Sequence, residues 1–415
     1  MAGSPPQQDL FDPKPLLDEL DGQPCPEDLI DGETFAFIKG HPKILASPYK
    51  FHRRGSCGME ISELLPHLGE VADEICLIRS MYTDQFNHAP AQLFIYSGSS
   101  RFGRPSMGSW LTWGLGSMNE DLPAFVVFVS GDKTPSAGKS VWGSGFLPSV
   151  HQGVQCRTSG DPVLYLGDPP GIDRDTRRRT IDAIQGLDHI AARRDEDAET
   201  LTRIEQYELA FRMQAETPGL VDLSGESKET QEMYGIGDSK TDRNGRACLM
   251  ARRLSEAGVR FVQVTIDGWD HHGDIRTALP NSAGGADKPI AGLIRDLKRR
   301  GLLKDTLVVW SGEFGRTYWS QDLSGTSPIA KHGREHQQES FCTLLAGGSV
   351  KPGFVHGETD DHGYRPVSGK VHLHDLHATL LHLLGLDHER LTYRHAGRDF
   401  RLTDVFGNVV NEIIA

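Results

Sequence analysis

Apolar residues along the chain occur in two arrangements, short continuous runs and longer stretches with helical spacing. Four short runs predict buried strands: AFVVFVS at 124–130, RFVQVTID at 260–267, TLVVWSG at 306–312 and SFCTLLAGG at 340–348. Helical spacing is found at 245–259, at 290–305 and in HDLHATLLHLLGL at 374–386. Strands that alternate with helices predict a mostly parallel sheet covered on both faces, which is a three-layer α/β/α sandwich.

The remaining stretches fit a single domain over residues 1–415 with insertions. Residues 1–60 are rich in Pro, Gly and Asp and predict a long surface excursion. Residues 61–79 predict a helix and then a short strand, and 88–97 predict a helix with Asn87 as its N-cap. Residues 131–245 predict a loop-rich and helical elaboration, with a charged helical pair at 174–215.

The chain opens with a loop-like stretch, MAGSPPQQDLFDPKP, where an α/β domain ordinarily begins with a buried strand. We therefore expect the first strand to lie upstream of Met1 in a longer natural chain that also carries an export signal. That longer form would be periplasmic or extracellular. If Met1 is the true start, the protein would be cytoplasmic, because no signal peptide is visible after it.

The composition of the chain excludes several classes of partner and site. The net charge is -13, which argues against nucleic acid, since phosphate backbones need a basic face. No apolar run approaches the length of about 20 residues that a membrane helix needs. The six cysteines form no CxxC pair, so a zinc ribbon is not predicted. A small or polymeric anionic ester remains compatible as substrate, since local charge can oppose net charge.

Metal-binding residue types follow the predicted strands. The stretch TIDGWDHHGD contains Asp267, Asp270, His271 and His272 directly after one strand. The other candidates are Glu313 after the next strand, the GREH stretch at 333–336 before the last one, and Asp9 and Asp12 near the chain start. Carboxylates and imidazoles from several strand ends can converge on a divalent cation. For Asp9 an Asx-turn is an open alternative.

The motifs GSPPQQDLFDPKP, NHAPAQLFIYSGSSRFGRPSMGSW, GWDHHGD, WSGEFGRT and GREHQQESFCTLLAGG together resemble the alkaline phosphatase/sulfatase superfamily. The closer resemblance is to an uncharacterised sulfatase-related branch, a domain of unknown function that is often exported. The resemblance implies an alkaline phosphatase-like fold and one or two divalent ions (Zn, Ca or Mn). The implied metal ligands are Asp9, Asp270, His272, Glu313 and His336. Phe314 departs from the family pattern, which has His at that position.

The resemblance also indicates where the reaction would take place. Counted back from Gly98, the position of the attacking group falls on His88, with Asn87 before it. His88 could be a metal ligand, a nucleophile at a helix N-terminus or a packing residue. Arg316 is a candidate to hold an oxyanion. Because no Cys-x-Pro-x-Arg occurs, formylglycine chemistry is not predicted.

Two functions follow as expectations. The first is a metal-dependent hydrolase of sulfate or phosphate esters that does not use formylglycine. The alternative is a non-catalytic sulfatase-like protein that binds an anionic glycan or a protein partner. Oligomeric state is left open by the sequence. Four histidines near the end of the chain, His374, His377, His382 and His388, are interpreted as helix-face residues rather than ligands.

Overall fold

The structure is a computed structural model that describes residues 1–30, 41–131, 134–158, 168, 171–195, 206–214, 219, 222–322 and 324–415. Parts of the predicted elaboration, including residues 159–167 and 196–205, lie outside the described residues. Within the described ranges the fold mixes helices and strands. None of the helices found there has the length and apolar character needed to cross a membrane.

The helices are α1 (Gln7–Leu10), α2 (Pro15–Leu20), α3 (Glu27–Ile30), α4 (Pro66–Gly69), α5 (His88–Ser97), α6 (Met107–Leu115), α7 (Arg174–Asp195), α8 (described over 206–214), α9 (Lys228–Met233), α10 (Asp242–Glu256), α11 (Ile275–Arg299) and α12 (Leu373–Leu383). Single 3₁₀ turns occur at Ala72–Glu74, Gly138–Trp142, Ser149–His151, Leu303–Asp305, Ile329–Lys331 and Asn411–Ile413.

The strands are β1 (Phe51–Arg54), β2 (Met59–Ser62), β3 (Ile75–Tyr82), β4 (Phe125–Val129), β5 (Val154–Cys156), β6 (Phe261–Thr265), β7 (Val308–Ser311), β8 (Gly315–Gln321), β9 (Gly333–Gln337), β10 (Phe341–Ala346), β11 (Phe354–His356), β12 (Glu358–Thr359), β13 (Pro366–Ser368), β14 (Val371–His372), β15 (Tyr393–His395) and β16 (Arg398–Phe400). The two largest sheets have the orders β11-β3-β10-β7, with β14 also paired to β3, and β5-β4-β6.

The predicted regular elements are largely confirmed. The four apolar runs form β4, β6, β7 and β10, and the final amphipathic stretch forms α12. Helix α5 follows Asn87 as predicted, although the Asn87 side chain makes no capping hydrogen bond. Helix α11 begins 15 residues before the predicted segment, at Ile275, and includes two prolines. Prolines and glycines weaken a helical sequence signal, which is why this half of the helix was missed.

The mostly parallel three-layer sandwich is not confirmed, because the sheets are small and mixed. Strands β4, β5 and β6 are parallel, but β10 runs antiparallel to both β3 and β7. A parallel neighbour needs a crossover connection that is usually helical, whereas an antiparallel neighbour does not. Here β7 and β10 are connected through the antiparallel pair β8–β9, and the described residues between those two strands include a 3₁₀ turn. The connection therefore allows β10 to return beside β7.

The first residues of the chain lie where the two largest sheets approach each other. The amino group of Met1 donates to the carbonyl of Ser311, at the end of β7, over 2.8 Å. The amide of Ala2 donates to the carbonyl of Ile266, just after β6, over 2.9 Å. The carboxyl ends of β6 and β7 are thus held side by side. An additional strand upstream of Met1 stays a prediction.

Two apolar clusters fix these ends. The larger packs α10 and α11 on β4 and β6 through buried residues such as Leu249, Leu279 and Ile294. The smaller packs α12 against β3 and β10 through Ile78, Phe341 and Leu376 among others. Burial of this many large apolar side chains is the main stabilising term for such a domain. The loops after β6 and β7 therefore start from rigid positions.

Candidate metal centre

Four potential metal ligands meet at the carboxyl ends of β6 and β7. Asp270 and His272 lie in the loop after β6, His88 is the first residue of α5, and His336 lies in β9. One ligand atom from each of these residues lies within 4.8 Å of those of the other three. The convergence predicted for Asp270, His272 and His336 is therefore present in the geometry, and His88 joins it.

The carboxylate of Asp270 is the centre of the cluster. Its Oδ1 lies 2.8 Å from Nε2 of His272 and 3.1 Å from Nε2 of His336, and its Oδ2 lies 3.2 Å from Nε2 of His88. All three imidazoles thus present the same nitrogen to one carboxylate. The Asp270 side chain is 40% exposed, so the cluster is open to solvent on one side.

Glu313 lies behind His88 rather than in the four-residue group. Its Oε1 lies 2.8 Å from Nδ1 of His88 and accepts hydrogen bonds from the amide of Gly3 at 3.0 Å and from Nε2 of Gln92 at 3.2 Å. Its side chain is only 3% exposed. A carboxylate bonded to Nδ1 fixes the histidine tautomer and leaves Nε2 free to ligate, as outer-shell carboxylates do in many metal sites. A direct ligand role for Glu313 remains a prediction.

Arg316 is anchored instead of reaching into open space. Its Nη2 donates to Oδ1 of Asp270 at 2.6 Å and also contacts the carbonyl of Gly3. Its Nε donates to the carbonyl of Ser4 at 3.1 Å, and Nη1 donates to the carbonyl of Arg334 at 3.2 Å. The residue is 1% exposed. In this structure Arg316 orients Asp270, whereas the predicted role was to hold an oxyanion.

Asp9 is placed in a buried ion pair and not in the four-residue group. Its carboxylate oxygens accept from Nε and Nη2 of Arg334 at 2.7 and 3.1 Å, and both side chains have no exposed surface. The Arg334 Nη1 group donates to the carbonyls of Leu45 and Thr317. A bidentate arginine satisfies both oxygens of a carboxylate. The proposed ligand role of Asp9 therefore has no support from its contacts.

Phe314 and Asn87 complete the surroundings. The ring of Phe314 is fully buried, and its centroid lies 5.0 Å from that of His88 and 4.5 Å from that of His336. It forms an apolar wall behind two of the imidazoles and provides no ligand atom. Asn87 is exposed at the start of α5, directly before His88.

The cluster perturbs its own protonation. Burial by itself would raise the pKa of Asp270, but hydrogen bonds from His272, His336 and His88 hold that pKa far below its usual range. Burial by itself would lower the pKa of His88, but its contacts with Asp270 and Glu313 outweigh burial and raise that pKa to about 9. Burial lowers the pKa of His336 to about 4. Metal binding requires neutral imidazoles, so an ion has to displace a proton from His88.

The donor set fits a borderline divalent ion. The outward-facing Nδ1 atoms of His88 and His272 are held by Glu313 and by the side-chain oxygen of Gln321, as expected for ligating imidazoles. Ligands of a tetrahedral zinc ion lie about 2.0–2.1 Å from the metal, hence about 3.3 Å from one another. The compactness of the cluster agrees with that spacing. Calcium prefers six to eight oxygen ligands, which this set does not provide.

Two outer-shell residues, Gln92 and Gln321, were missed from the sequence. Gln92 had a usable signal, because it lies four residues after His88 on the same helix face. Its Oε1 also accepts from the amide of Ala137 at 3.1 Å, so it ties α5 to a neighbouring loop. Gln321 had none, because it lies 49 residues from His272 in a strand with no apolar pattern.

Comparison with known proteins gives the family. The profile of the family described as "Protein of unknown function (DUF1501)" matches residues 1–414. The chain belongs to the DUF1501 family. A search of curated proteins found no match for it. Membership in DUF1501 agrees with the resemblance to a branch of unknown function.

Three solved structures that are similar to this DUF1501 protein are distant from it. Ps i-CgsB in complex with k-i-k-neocarrahexaose matches with 12% identity and a TM-score of 0.35, covering 78% of this chain and 67% of the other. The PsFucS1 sulfatase from Pseudoalteromonas sp. matches with 13% identity and a TM-score of 0.36, and 62% of its length is covered against 78% of this chain. The alkaline phosphatase from the Antarctic bacterium TAB5 matches with 9% identity and a TM-score of 0.31, covering 70% and 85%. This chain therefore spans about two thirds of the first two of these structures. Because the likeness is this distant, the chemistry has to be argued from the residues of the site.

Proposed function

We propose that this DUF1501 protein is a hydrolase of sulfate or phosphate esters that depends on one divalent transition-metal ion. The observation that carries the proposal is the convergence of three imidazole Nε2 atoms on the Asp270 carboxylate. Three nitrogen ligands and one oxygen ligand favour Zn²⁺ over Mn²⁺ and disfavour Ca²⁺. The ligands would be His88, Asp270, His272 and His336.

One ion is proposed rather than two. A second ion would need further anionic ligands, and the two remaining ligands implied by the resemblance are Asp9 and Glu313. Asp9 is neutralised by the guanidinium of Arg334, and Oε1 of Glu313 already bonds His88, Gly3 and Gln92. The positive charge of Arg334 thus already balances the carboxylate that a second cation would need.

Each residue of the site has a part in the proposed reaction. A bound divalent ion would supply Lewis-acid stabilisation of an ester oxygen and would lower the pKa of a water molecule. Glu313 holds the Nδ1 proton of His88, and Arg316 holds Asp270 in place. Asn87 is exposed beside His88 and is proposed to orient the substrate. His88 acts as a ligand in this proposal, because both of its nitrogens face carboxylates, which leaves neither free to attack a phosphorus or sulfur atom.

A non-catalytic binder of anionic glycans or proteins is the second candidate, and Arg316 is the observation that favours it. Its donors face Asp270 and three backbone carbonyls, so it is not free to stabilise a developing negative charge. A binder would keep the metal centre without turnover.

The test combines elemental analysis with two substrates. The purified full chain should contain about one zinc per chain, and it should hydrolyse p-nitrophenyl phosphate or p-nitrophenyl sulfate in a manner that chelation abolishes and Zn²⁺ restores. One ion with no hydrolysis of either ester, but saturable binding of a sulfated or phosphorylated glycan, would favour the binder. A chain that takes up no Zn²⁺ would refute both metal-dependent roles.

A further inference from the structure

Residues Ala2–Ser4 lie between the two loops that carry the metal centre. On the side of β6, the amide of Trp269 donates to the carbonyl of Ala2 at 3.3 Å, in addition to the bond from Ala2 to Ile266. A Cβ atom at Gly3 would lie 2.5 Å from the backbone nitrogen of Asp270. The loop that carries Asp270 therefore rests directly on this segment, with no room for a side chain at position 3.

On the side of β7 the same segment holds Glu313. The amide of Gly3 donates to Oε1 of Glu313 at 3.0 Å. The hydroxyl oxygen of Ser4 accepts from the amides of Glu313 and Phe314, both at 3.1 Å. One residue thus fixes the carboxylate and the next fixes the backbone that carries it.

Arg316 connects the two sides. The carbonyls of Gly3 and Ser4 both accept from its guanidinium, whose Nη2 also bonds Asp270. The segment therefore reaches Asp270 through Arg316 and reaches His88 through Glu313. Two of the four proposed ligands depend on the same two residues.

The conformation of Ser4 supports a specific role. Its φ is 62°, in the left-handed region that non-glycine residues seldom adopt, and it is fully buried. Such a conformation persists only where surrounding contacts fix it, and it is concentrated at functional sites. Here the contacts that fix it are those to Glu313, Phe314 and Arg316.

We infer that Gly3 and Ser4 are positioning residues of the metal centre and set its affinity for a divalent transition ion. This inference rests on the proposed function, because it needs the cluster to bind an ion. By bonding Glu313, the pair keeps the Nδ1 proton of His88 in place and Nε2 available. By bonding Arg316, it keeps the Asp270 carboxylate turned towards the three imidazoles.

The experiment compares Ser4→Ala with the wild-type full chain, both stripped of metal. Zn²⁺ and Co²⁺ are titrated by calorimetry at a temperature where each protein is folded by circular dichroism. Loss of an outer-shell partner ordinarily weakens metal affinity by about 10- to 100-fold, and we expect Ser4→Ala to lie near the lower end. The visible spectrum of bound Co²⁺ should also change, because it reports ligand geometry, which a purely structural residue would leave unaltered.

Ser349→Ala is the matched control. Ser349 also has a left-handed φ, 68°, but it is exposed. It follows β10, whose last residue pairs with Val308 at the amino end of β7, so it lies at the other end of the sheet. The Zn²⁺ affinity and the Co²⁺ spectrum of Ser349→Ala should equal those of the wild type. If Ser4→Ala does not fold, Ser4→Gly removes the same hydroxyl while relieving the backbone strain.

The outcomes separate the two proposals. Unchanged Zn²⁺ affinity and an unchanged Co²⁺ spectrum in a folded Ser4 variant would overturn the positioning role, even if the wild type binds metal tightly. A wild type that binds metal but hydrolyses no ester would remove the proposed activity and leave the positioning role to be decided by affinity. A wild type that binds neither ion would overturn both.

Discussion

The protein has two regions rich in histidine, and they use imidazole differently. In the metal centre, His88, His272 and His336 come from α5, the loop after β6 and β9, and all turn Nε2 towards Asp270. In the C-terminal region the histidines come from one helix, α12, and the residue before it. They share no carboxylate. The number of histidines is similar, but only the first region brings them together.

Three of the C-terminal histidines each bond a different partner. The Nε2 atom of His374 bonds the carbonyl of Gly98 at 3.0 Å, and that of His377 bonds the carbonyl of Ile95 at 2.7 Å. His372 caps α12 by accepting from the amide of His374. These bonds tie α12 to α5 and the turn after it. The candidate metal centre thus draws its imidazoles from separate elements directed at one charge, whereas histidines along one helix face serve as packing and capping groups.

The strongest way to break the comparison is Asp270→Asn. The substitution keeps the shape of the central ligand but removes the charge on which three imidazoles and Arg316 converge. We expect Zn²⁺ affinity, measured by calorimetry, to fall by more than about 100-fold, beyond what loss of an outer-shell partner costs.

The control for this change is Asp267→Asn, which neutralises another carboxylate of the same loop, outside the four-residue group. It should bind Zn²⁺ like the wild type. Equal affinities for the wild type and Asp270→Asn would refute the central role of this carboxylate.

A second test makes the same substitution once in each histidine region, as His88→Ala and as His377→Ala. His88→Ala removes a ligand, and Zn²⁺ affinity should fall by about 100-fold. His377 is 1% exposed, and its loss should leave affinity unchanged while lowering the free energy of unfolding by about 1–3 kcal/mol, through a cavity and a lost hydrogen bond. Calorimetry and urea unfolding of the metal-free proteins measure the two effects. The interpretation fails if His377→Ala weakens metal binding as much as His88→Ala does.

The sequence predicted this contrast only in part. Asp270, His272 and His336 could be found because polar groups at the ends of apolar strands meet at one edge of a sheet. The α12 histidines could be set apart because their spacing is that of a helix face. The ion pair of Asp9 could not be predicted, since its partner Arg334 is 325 residues away and no local pattern indicates that pairing.

Long-range contacts also limited the prediction of the fold. Strands β8 and β9 are almost entirely buried yet polar, with sequences GRTYWSQ and GREHQ. Their polar groups are satisfied by distant residues such as Gln7 and Asp9, so they resemble loops when hydropathy alone is considered. Because these residues resemble a polar loop, the alternation of strands and helices elsewhere in the chain predicted a mostly parallel sheet. Hydrogen bonds to distant residues stabilise β8 and β9, and the periodicity of the sequence does not reveal them.

The third test is Glu313→Gln, which probes the outer shell of the metal centre alone. Glutamine keeps an oxygen that can accept from Nδ1 of His88 but removes the negative charge that holds that proton. Zn²⁺ affinity should fall by about 10-fold. Glu339→Gln, in the loop after β9, serves as a comparison and should have no effect. An affinity equal to that of the wild type in Glu313→Gln would show that His88 does not need the charge of Glu313.

The smallest expected effect lies in the C-terminal region and is a dependence of stability on pH. Burial lowers the pKa of His377 to about 3, whereas an unfolded histidine has a pKa near 6.5. The folded state therefore favours the neutral ring, so this contribution is complete above about pH 6.5 and declines as pH falls from there towards 3. Between pH 6.5 and 5.5 the wild type should lose about 1 kcal/mol more unfolding free energy than His377→Gln, which cannot titrate at this position. Urea unfolding of the metal-free proteins at the two pH values measures the difference.

Other groups also titrate, but they are common to both proteins and cancel in the comparison. Parallel losses in the two proteins would mean that the ring of His377 is free to take up a proton in the folded state, and the distinction between the two histidine regions would then rest on the metal centre alone.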